Sequence, residues 1–412
     1  MIIAPAELSP EEVRERFAWA RRNGFSTWLW PDVAVDDWRL AMTRIFHTTR
    51  DVLAGKAPRI DDCDAHALGL AGYTSGMGPL LGYWIEAGSV EAGPEAETIL
   101  RLHLHHNRAR NQMLASHGRS VVEQLTAAGV PVVLFKGMHT AFVYFPDPGT
   151  RPMSDIDIYI PPAHTPATEA ILTEMGFRPN LQFRGPHGYD WKYPQIRQTP
   201  VTLMHVHQGD PWGLDVQGSL NRRLATRSVV MLDRLSDMCN SSWSLSSAAS
   251  VQAQPLLALH LAAHISESFH NVTLLRLCEF AMVLRRDCAS GDLRWDDFLA
   301  GARTIGGGHF VYPALYLCEQ LAPGMIPTEV LATCRAGAPA QLLRLLANHS
   351  PATVQPLGRH SLRERLMWVD SLRGIVGQAR TELALDGRKS LGRALYDGGT
   401  KLWALRRRRL TA

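Results

Sequence analysis

The clearest structural pattern in the sequence is VLFKGMHTAFVYFPDPGTRPMSDIDIYI, residues 133–160. Its first residues complete a β-branched and apolar run, residues 130–135, which is typical of a buried strand. Lys136-Gly137 ends that run, and residues 138–145 are predicted to form a short helix. A turn rich in Pro and Gly follows, and residues 154–160 then alternate as the residues of a strand do. The stretch therefore predicts a strand–helix–turn–strand unit.

Two carboxylates lie on one face of the second predicted strand. Side chains alternate along a strand, so Asp155 and Asp157 point to the same side, with their Cα atoms roughly 7 Å apart. Ile156 and Ile158 point to the opposite side, where they can pack against helices. Adjacent carboxylates repel each other unless a cation lies between them, and Mg²⁺ binds such oxygen ligands when phosphates complete its shell. The pair therefore predicts a site for Mg²⁺ or Mn²⁺.

The junction between the first strand and the helix is suited to phosphate. A helix that begins there offers free backbone N–H groups, and Gly137 lets a phosphate come close to them. Lys136 supplies a positive charge at the same place, and Arg151 either neutralises phosphate or closes the loop before the carboxylates. Together with the metal site, this junction predicts binding of a polyphosphate.

The same segment resembles the bacterial nucleotidyltransferase family NTP_transf_5, a branch of the DNA polymerase β-like superfamily. The family's hallmark is similar to Lys136-Gly137, Phe145-Pro146 and the Arg-Pro-Met-Ser-Asp-Ile-Asp run at residues 151–157. The resemblance implies an α+β fold, in which a small mixed β-sheet nucleotidyltransferase core is flanked by N-terminal and C-terminal helical regions. It also implies ATP or another NTP as substrate and Mg²⁺ or Mn²⁺ as cofactor. The nucleotide-binding residues that it implies are Lys136, Gly137, Arg151 and Ser154.

The resemblance further implies a third metal-binding carboxylate on a later strand, for which the chain offers two positions. One is His205, in the segment His205-Val206-His207, where histidine would replace the acid. The other is Asp215, where the acid is kept. Asp215 is favoured because a carboxylate can both bind the metal and accept a proton from the attacking hydroxyl. With His205 in that place, catalysis would be weak, altered or absent.

Three regions are predicted along the chain. Residues 1–128 form an N-terminal helical region, with one or two helices between residues 99 and 128. Residues 129–235 form the core, which continues after residue 160 with a helix and three more strands. The Ser- and Ala-rich residues 236–252 have the composition of a linker. Residues 253–412 form a C-terminal helical domain with a basic tail. The predicted later core elements are a helix at residues 165–175 and strands at residues 189–196, 201–207 and 214–220.

Composition excludes several classes of protein. The chain has 412 residues, 46% of them hydrophobic, which allows a large core without disulfides. Its six cysteines form no CxxC pair, and no apolar stretch approaches the roughly 20 residues of a membrane span. A net charge of +4 makes nucleic acid an unlikely partner. The basic run at residues 406–409 is a solvated helix end or a weak contact for an anionic surface or RNA. These features predict a soluble, cytoplasmic protein.

Two groups of histidines have spacings that could suit a metal site. His103, His105 and His106 have no matching carboxylate or cysteine nearby, so they are interpreted as decorating a helix face. His260 and His264 are one helical turn apart, but they belong to no HExxH motif and no third ligand is evident. We interpret this second pair as core or substrate-contacting residues.

The sequence thus predicts a metal-dependent enzyme that moves a nucleoside monophosphate from an NTP, ATP foremost, to a hydroxyl-type acceptor. Asp155, Asp157 and Asp215 are its predicted catalytic and metal-binding residues. The acceptor is a small molecule, a peptide or a glycan, because the resemblance is to proteins of peptide natural-product and glycan biosynthesis. Two alternatives stay open: a non-catalytic accessory protein that binds nucleotide or precursor on the same fold, and a phosphotransferase.

Overall fold

A mixed β-sheet built from residues between 133 and 251 organises the molecule. The structure is a computed structural model, and it describes residues 7–23, 29–60, 63–180, 188–193, 198–225, 228–353, 367–369, 373–374 and 376. The helices are α1 (Pro10–Asn23), α2 (Val35–Leu53), α3 (Ala65–Ser75), α4 (Gly78–Glu86), α5 (Pro94–Ala127), α6 (Gly137–Val143), α7 (Thr165–Glu174), α8 (Leu256–Glu267), α9 (Leu274–Ser290), α10 (Trp295–Thr304), α11 (Tyr312–Leu321), α12 (Thr328–Arg335) and α13 (Ala340–Ala347). The strands are β1 (Arg59–Ile60), β2 (Glu91–Ala92), β3 (Val133–Leu134), β4 (Asp155–Tyr159), β5 (Arg178–Pro179), β6 (Gly188–Lys192), β7 (Gly213–Gln217), β8 (Arg222–Ala225), β9 (Ser228–Val230), β10 (Ser241–Trp243) and β11 (Ser246–Val251).

The central sheet has β4 in its middle. Among the described residues its strand order is β10-β11-β3-β4-β7-β6-β5. β3 runs antiparallel to β4, whereas β4 and β7 run parallel over their whole length. Helices lie before and after the sheet in the chain, so the predicted α+β architecture with helical regions at both ends is confirmed.

The alternation of β4 divides the sheet into an apolar and a polar face. Ile156 and Ile158 are fully buried in a core cluster that also contains Val122 and Leu125 of α5. Burial of each such side chain stabilises the fold by about 1.5–3 kcal/mol. Gly118 of α5 leaves room for Met138, since a Cβ there would lie 2.9 Å from Met138 Cε. The opposite face, which carries the carboxylates, is left for the C-terminal helices to cover.

The strand predicted at residues 201–207 is wrong, because the segment has no regular structure. A single carboxylate holds it in a loop: Asp210 accepts the backbone N–H groups of Val201 and His207, both at 2.8 Å. Those amide groups are therefore bonded to a side chain and are not available to a neighbouring strand.

The linker predicted at residues 236–252 is also wrong, since it contains β10 and β11 of the sheet. β11 pairs in parallel with β3, with Val251 opposite Leu134. Trp243 is buried and its indole N–H donates to the Met138 carbonyl at 2.9 Å. The buried side chains of Trp243, Ala249 and Val251 anchor these strands in the core, although the average composition of the segment is typical of a loop.

The terminal regions are described only in part. The helix predicted between residues 99 and 128 is a single long helix, α5. The basic run at residues 406–409 lies outside the described residues, as does most of the predicted helical tail. Within the described chain, none of the helices combines the length and apolar character needed to cross a membrane.

Four histidines from α5 and the loop at residues 201–210 lie together. His106 stacks on His205, with ring centroids 4.7 Å apart, and approaches His207 to 4.3 Å. His103 is 5.7 Å from His205 and is buried, so only the exposed His105 decorates an outer helix face as predicted. Among the described residues, neither ring nitrogen of His205 has a hydrogen-bond partner.

Burial makes this histidine cluster sensitive to acid. Burial and neighbouring histidines lower the pKa of His103 to about 3 and the pKa values of His106 and His205 to about 4. The unfolded chain takes up these protons as the pH falls below about 6.5, whereas the folded protein does not until about pH 4. The contribution of these three histidines to the free energy of unfolding is therefore greatest above about pH 6.5 and decreases as the pH falls towards 4.

We predict that His205→Leu weakens this dependence on pH. Urea unfolding at pH 7.5, 6.0 and 5.0 measures it, and the loss of stability on acidification should be smaller in the variant than in the natural protein. His105→Leu is the matched control, because the His105 imidazole is exposed on α5. An equal loss in the natural protein and the His205 variant would contradict this account of the cluster.

Candidate active site

Carboxylates on adjacent strands form a row across the polar face of the sheet. In the parallel register of β4 and β7, Asp157 lies opposite Asp215 and Asp155 lies opposite Gly213. The antiparallel register of β6 places Asp190 opposite Asp215 on the other side. Directly opposite residues share a face, so the sheet brings these side chains together. Sequence reasoning missed Asp190 because its strand carries no motif.

The two candidate positions for the third acid lie in different structural environments. Asp215 is on β7 beside the carboxylates of β4 and accepts a hydrogen bond of 2.6 Å from the Gln217 amide. His205 is in the irregular loop and packs against other histidines. The strand register therefore aligns Asp215, and not His205, with Asp157.

Crowding changes the acidity of these groups. Burial, reinforced by the charges of Asp157 and Asp215, raises the pKa of Asp155 to about 6, although Lys136 opposes the shift. Burial and the charge of Asp157 also raise the pKa of Asp215. Among the described side chains, only the Ser154 hydroxyl donates a hydrogen bond to Asp155, at 3.1 Å from Oδ1. The row is therefore an environment in which an added cation is favourable.

Lys136 supplies the charge that opposes this crowding. Its ammonium forms an ion pair with Asp157, and both side chains are largely buried. The Lys136 backbone has φ +51° and ψ −130°, a conformation that costs a non-glycine residue about 1–3 kcal/mol. Lys136 is the residue before α6, so the strained turn fixes both the start of that helix and the position of the ammonium.

A cavity of about 580 Å³ opens over the row. Asp215, although it belongs to the row, is not among the residues that line the cavity. The walls come from the N-terminal helices, the sheet and the C-terminal helices together. The predicted site residues in its lining are Lys136, Gly137, Arg151, Ser154, Asp155 and Asp157.

Arg151 is held by a partner that the sequence did not reveal. Its guanidinium donates to both carboxylate oxygens of Glu279, at 2.8 and 2.9 Å. Glu279 is buried on α9 and also accepts a hydrogen bond from the Thr140 hydroxyl of α6. This buried bidentate pair joins the loop before β4 to the C-terminal helices.

The wall opposite the carboxylates comes from α8 and α9. Leu261 and Leu275 make it partly apolar, and His264 and Arg276 add polar groups. Burial lowers the pKa of His264 well below its ordinary value, so that imidazole is neutral. His260, one turn away, is instead buried and bonded to Gln252. Of the two predicted environments, His260 is therefore in the core, whereas His264 lines the cavity.

A buried polar brace from α5 positions the loops around the cavity. Asn107 donates to the Gly149 carbonyl at 2.6 Å, and Asn111 donates to the Arg151 carbonyl at 2.7 Å. Arg110 donates to the carbonyls of Met153, Asp210 and Pro211 at 2.9, 2.7 and 2.7 Å. Buried carbonyls need such partners, so these side chains set where β4 begins. No periodic or motif signal distinguishes them in the sequence.

The positions of the described side chains also bear on metal binding. In the described part of the chain, no three His, Cys, Asp or Glu side chains converge closely enough to hold a metal ion as they stand. Oxygen donors are present on adjacent strands, but one of them, Asp157, is bonded to Lys136. A divalent cation would therefore have to compete with that ammonium.

Comparison with known proteins gives one match. The model of the family NTP_transf_5, described as an uncharacterised nucleotidyltransferase, matches residues 71–323, which is more than half of the chain. No curated protein and no solved structure matches it. The matched residues include the described cavity lining from Tyr73 to Glu279. The chain therefore belongs to this family of nucleotidyltransferases.

Proposed function

We propose that the protein binds a nucleoside triphosphate, ATP foremost, with Mg²⁺ or Mn²⁺ and transfers its nucleoside monophosphate to a hydroxyl-type acceptor. The observation that carries this proposal is the occurrence of the carboxylate row and several cationic side chains in and beside one cavity. A metal-bound triphosphate is complementary to both, since its cation faces acids and its phosphates face guanidinium and ammonium groups.

The residues fit a magnesium-type ion by the chemistry of their donors. Asp155 and Asp157 face the cavity, and Asp215 is directly beside Asp157. These are hard oxygen ligands, and the raised pKa of Asp155 reflects negative charge that a divalent cation would offset. When bound, the ion would act as a Lewis acid on the phosphate oxygens.

The chain's own residues have distinct tasks in the proposed transfer. Gly137 and the start of α6 let the triphosphate approach the backbone, while Lys136 and Arg151 offset its charge. Asp215 accepts the proton of the attacking hydroxyl, whose oxygen forms a bond to the α-phosphorus. The bond from that phosphorus to the bridging oxygen of the β-phosphate breaks, and pyrophosphate leaves. Burial raises the pKa of Asp215 and so makes its carboxylate a better proton acceptor.

The acceptor is proposed as a small molecule or one end of a peptide or glycan. A cavity of about 580 Å³ is within the range of single-ligand sites, so a nucleotide leaves room for only part of an acceptor. A larger acceptor would therefore enter by its reactive end alone.

A second candidate function is binding without chemistry. The Lys136–Asp157 ion pair and the absence of three converged ligands in the described residues favour it. Incubation with ATP labelled at the α- or γ-phosphate and a panel of hydroxyl acceptors separates the functions. The α-label in product indicates nucleotidyl transfer, the γ-label alone indicates phosphoryl transfer, and neither label with retained ATP binding indicates an accessory protein.

We predict that Asp155→Asn and Asp215→Asn each lower the rate of nucleotidyl transfer by about 10²- to 10⁴-fold. The amide cannot provide the negative charge or accept the proton, whereas the backbone of β4 and β7 is unchanged. Rates of labelled product formation measure the effect, with Asp237→Asn, an exposed acid, as control. Full activity of either site variant would contradict the assignment.

We predict that Gly137→Ala weakens ATP binding roughly tenfold, which corresponds to about 1.4 kcal/mol. A Cβ at this position would lie 2.5 Å from Arg151 Nη1 and 2.9 Å from Met153 Sδ, so these two cavity-lining side chains would have to shift. Calorimetric titration with ATP and Mg²⁺ measures the change. Gly93→Ala is the matched control, since a Cβ at Gly93 meets nothing within 4 Å. Equal affinities of the two variants would contradict a close approach of phosphate to Gly137.

A further inference from the structure

Most cationic side chains of the cavity are already occupied by protein groups. Lys136 is paired with Asp157, and Arg151 is paired through two hydrogen bonds with Glu279. Arg110 uses its guanidinium for the backbone carbonyls that shape the loops. These contacts leave little of their hydrogen-bonding capacity for a ligand.

Arg276 differs from these three residues. Its side chain lines the cavity, and within the described chain no carboxylate lies within ion-pair distance of its guanidinium. Its pKa is lowered by burial and by the like charge of nearby Arg151. Two guanidinium groups close together repel each other unless an anion lies between them. Glu279 is hydrogen-bonded to Arg151, whereas it acts on Arg276 only through its charge, as Asp155 does.

The position of Arg276 adds to this electrostatic argument. It lies in the first turn of α9, and no side chain caps that helix at Thr273, which also lines the cavity. Backbone N–H groups at a helix start carry partial positive charge. Asp155 is close enough to influence Arg276 electrostatically. The cavity therefore has acids on the sheet and, on the facing helix, a guanidinium that is unpaired among the described residues.

We infer that Arg276 binds the β- and γ-phosphates of the nucleoside triphosphate, the part that leaves as pyrophosphate. This inference rests on the proposed function and adds the residue that recognises the leaving group. A guanidinium presents parallel N–H donors that match two phosphate oxygens. The apolar side chains Leu261 and Leu275 line the same cavity as Arg276, and hydrogen bonds are stronger in such less polar surroundings than in water.

The test measures binding of three probes with Mg²⁺ by titration calorimetry: ATP, AMP and inorganic tripolyphosphate, which has no base. In Arg276→Gln, we expect affinity for ATP and tripolyphosphate to fall about 10- to 100-fold, the effect of one hydrogen bond between charged groups. AMP affinity should stay within about twofold of the natural protein's. Arg294→Gln, which removes an exposed guanidinium outside the cavity, is the matched control and should change none of these affinities.

The outcomes separate this inference from the proposed function. If the natural protein binds neither ATP nor tripolyphosphate, the proposed function fails. If it binds both and Arg276→Gln binds them equally well, the inference is overturned while the proposed function stands. Equal losses for ATP, tripolyphosphate and AMP would also overturn it, because Arg276 would then contact the part shared with AMP.

A second variant guards against misfolding. Thermal denaturation checks the Gln variant, and Arg276→Lys keeps the charge but loses the fork of donors. We expect Arg276→Lys to bind tripolyphosphate several-fold more weakly than the natural protein, with AMP binding unchanged. Unchanged tripolyphosphate affinity in this variant would contradict the inference.

Discussion

Repulsion among buried carboxylates is the constraint on which the rest of the site depends. The parallel register of β4 and β7 places Asp157 beside Asp215, and Asp155 follows on the same face. Burial and mutual charge raise the pKa of Asp155 to about 6, so the arrangement is costly unless a cation compensates it. Lys136 provides one such cation, held in a strained backbone conformation at the start of α6. Strain of this kind persists where surrounding structure maintains it, often at functional sites.

The surrounding helices maintain this geometry from two sides. On one side, the buried polar groups of α5 fix the loops that lead into β4. On the other, Glu279 of α9 binds Arg151 and thereby links the loop before β4 to the C-terminal helices. The fold therefore completes a charged cavity between sheet and helices, with acids on one wall and Arg276 on the other. That distribution of charge gives the fold its proposed affinity for a metal-bound triphosphate.

Local sequence patterns predicted the centre of this arrangement. The alternation at Asp155–Tyr159 and the Lys136-Gly137 junction depend on neighbours in the chain, so strand, helix and carboxylate face could be predicted. The pairing of Arg151 with Glu279 joins positions 128 residues apart and has no local signal. Arg276 likewise has no local signal in the sequence that marks it as a site residue. The loop at residues 201–207 and the strands at residues 241–251 were misjudged because tertiary contacts, Asp210 to backbone and Trp243 to Met138, override their local composition.

We propose that a metal-bound nucleotide occupies the cavity over the carboxylates. A crystal structure with Mn²⁺ and a non-hydrolysable ATP analogue tests it most directly, because anomalous scattering locates manganese. We expect manganese bonded to oxygens of Asp155 and Asp157, with Lys136 moved from Asp157 towards phosphate. An empty cavity with the Lys136–Asp157 ion pair intact, in crystals soaked at saturating nucleotide, would contradict the account.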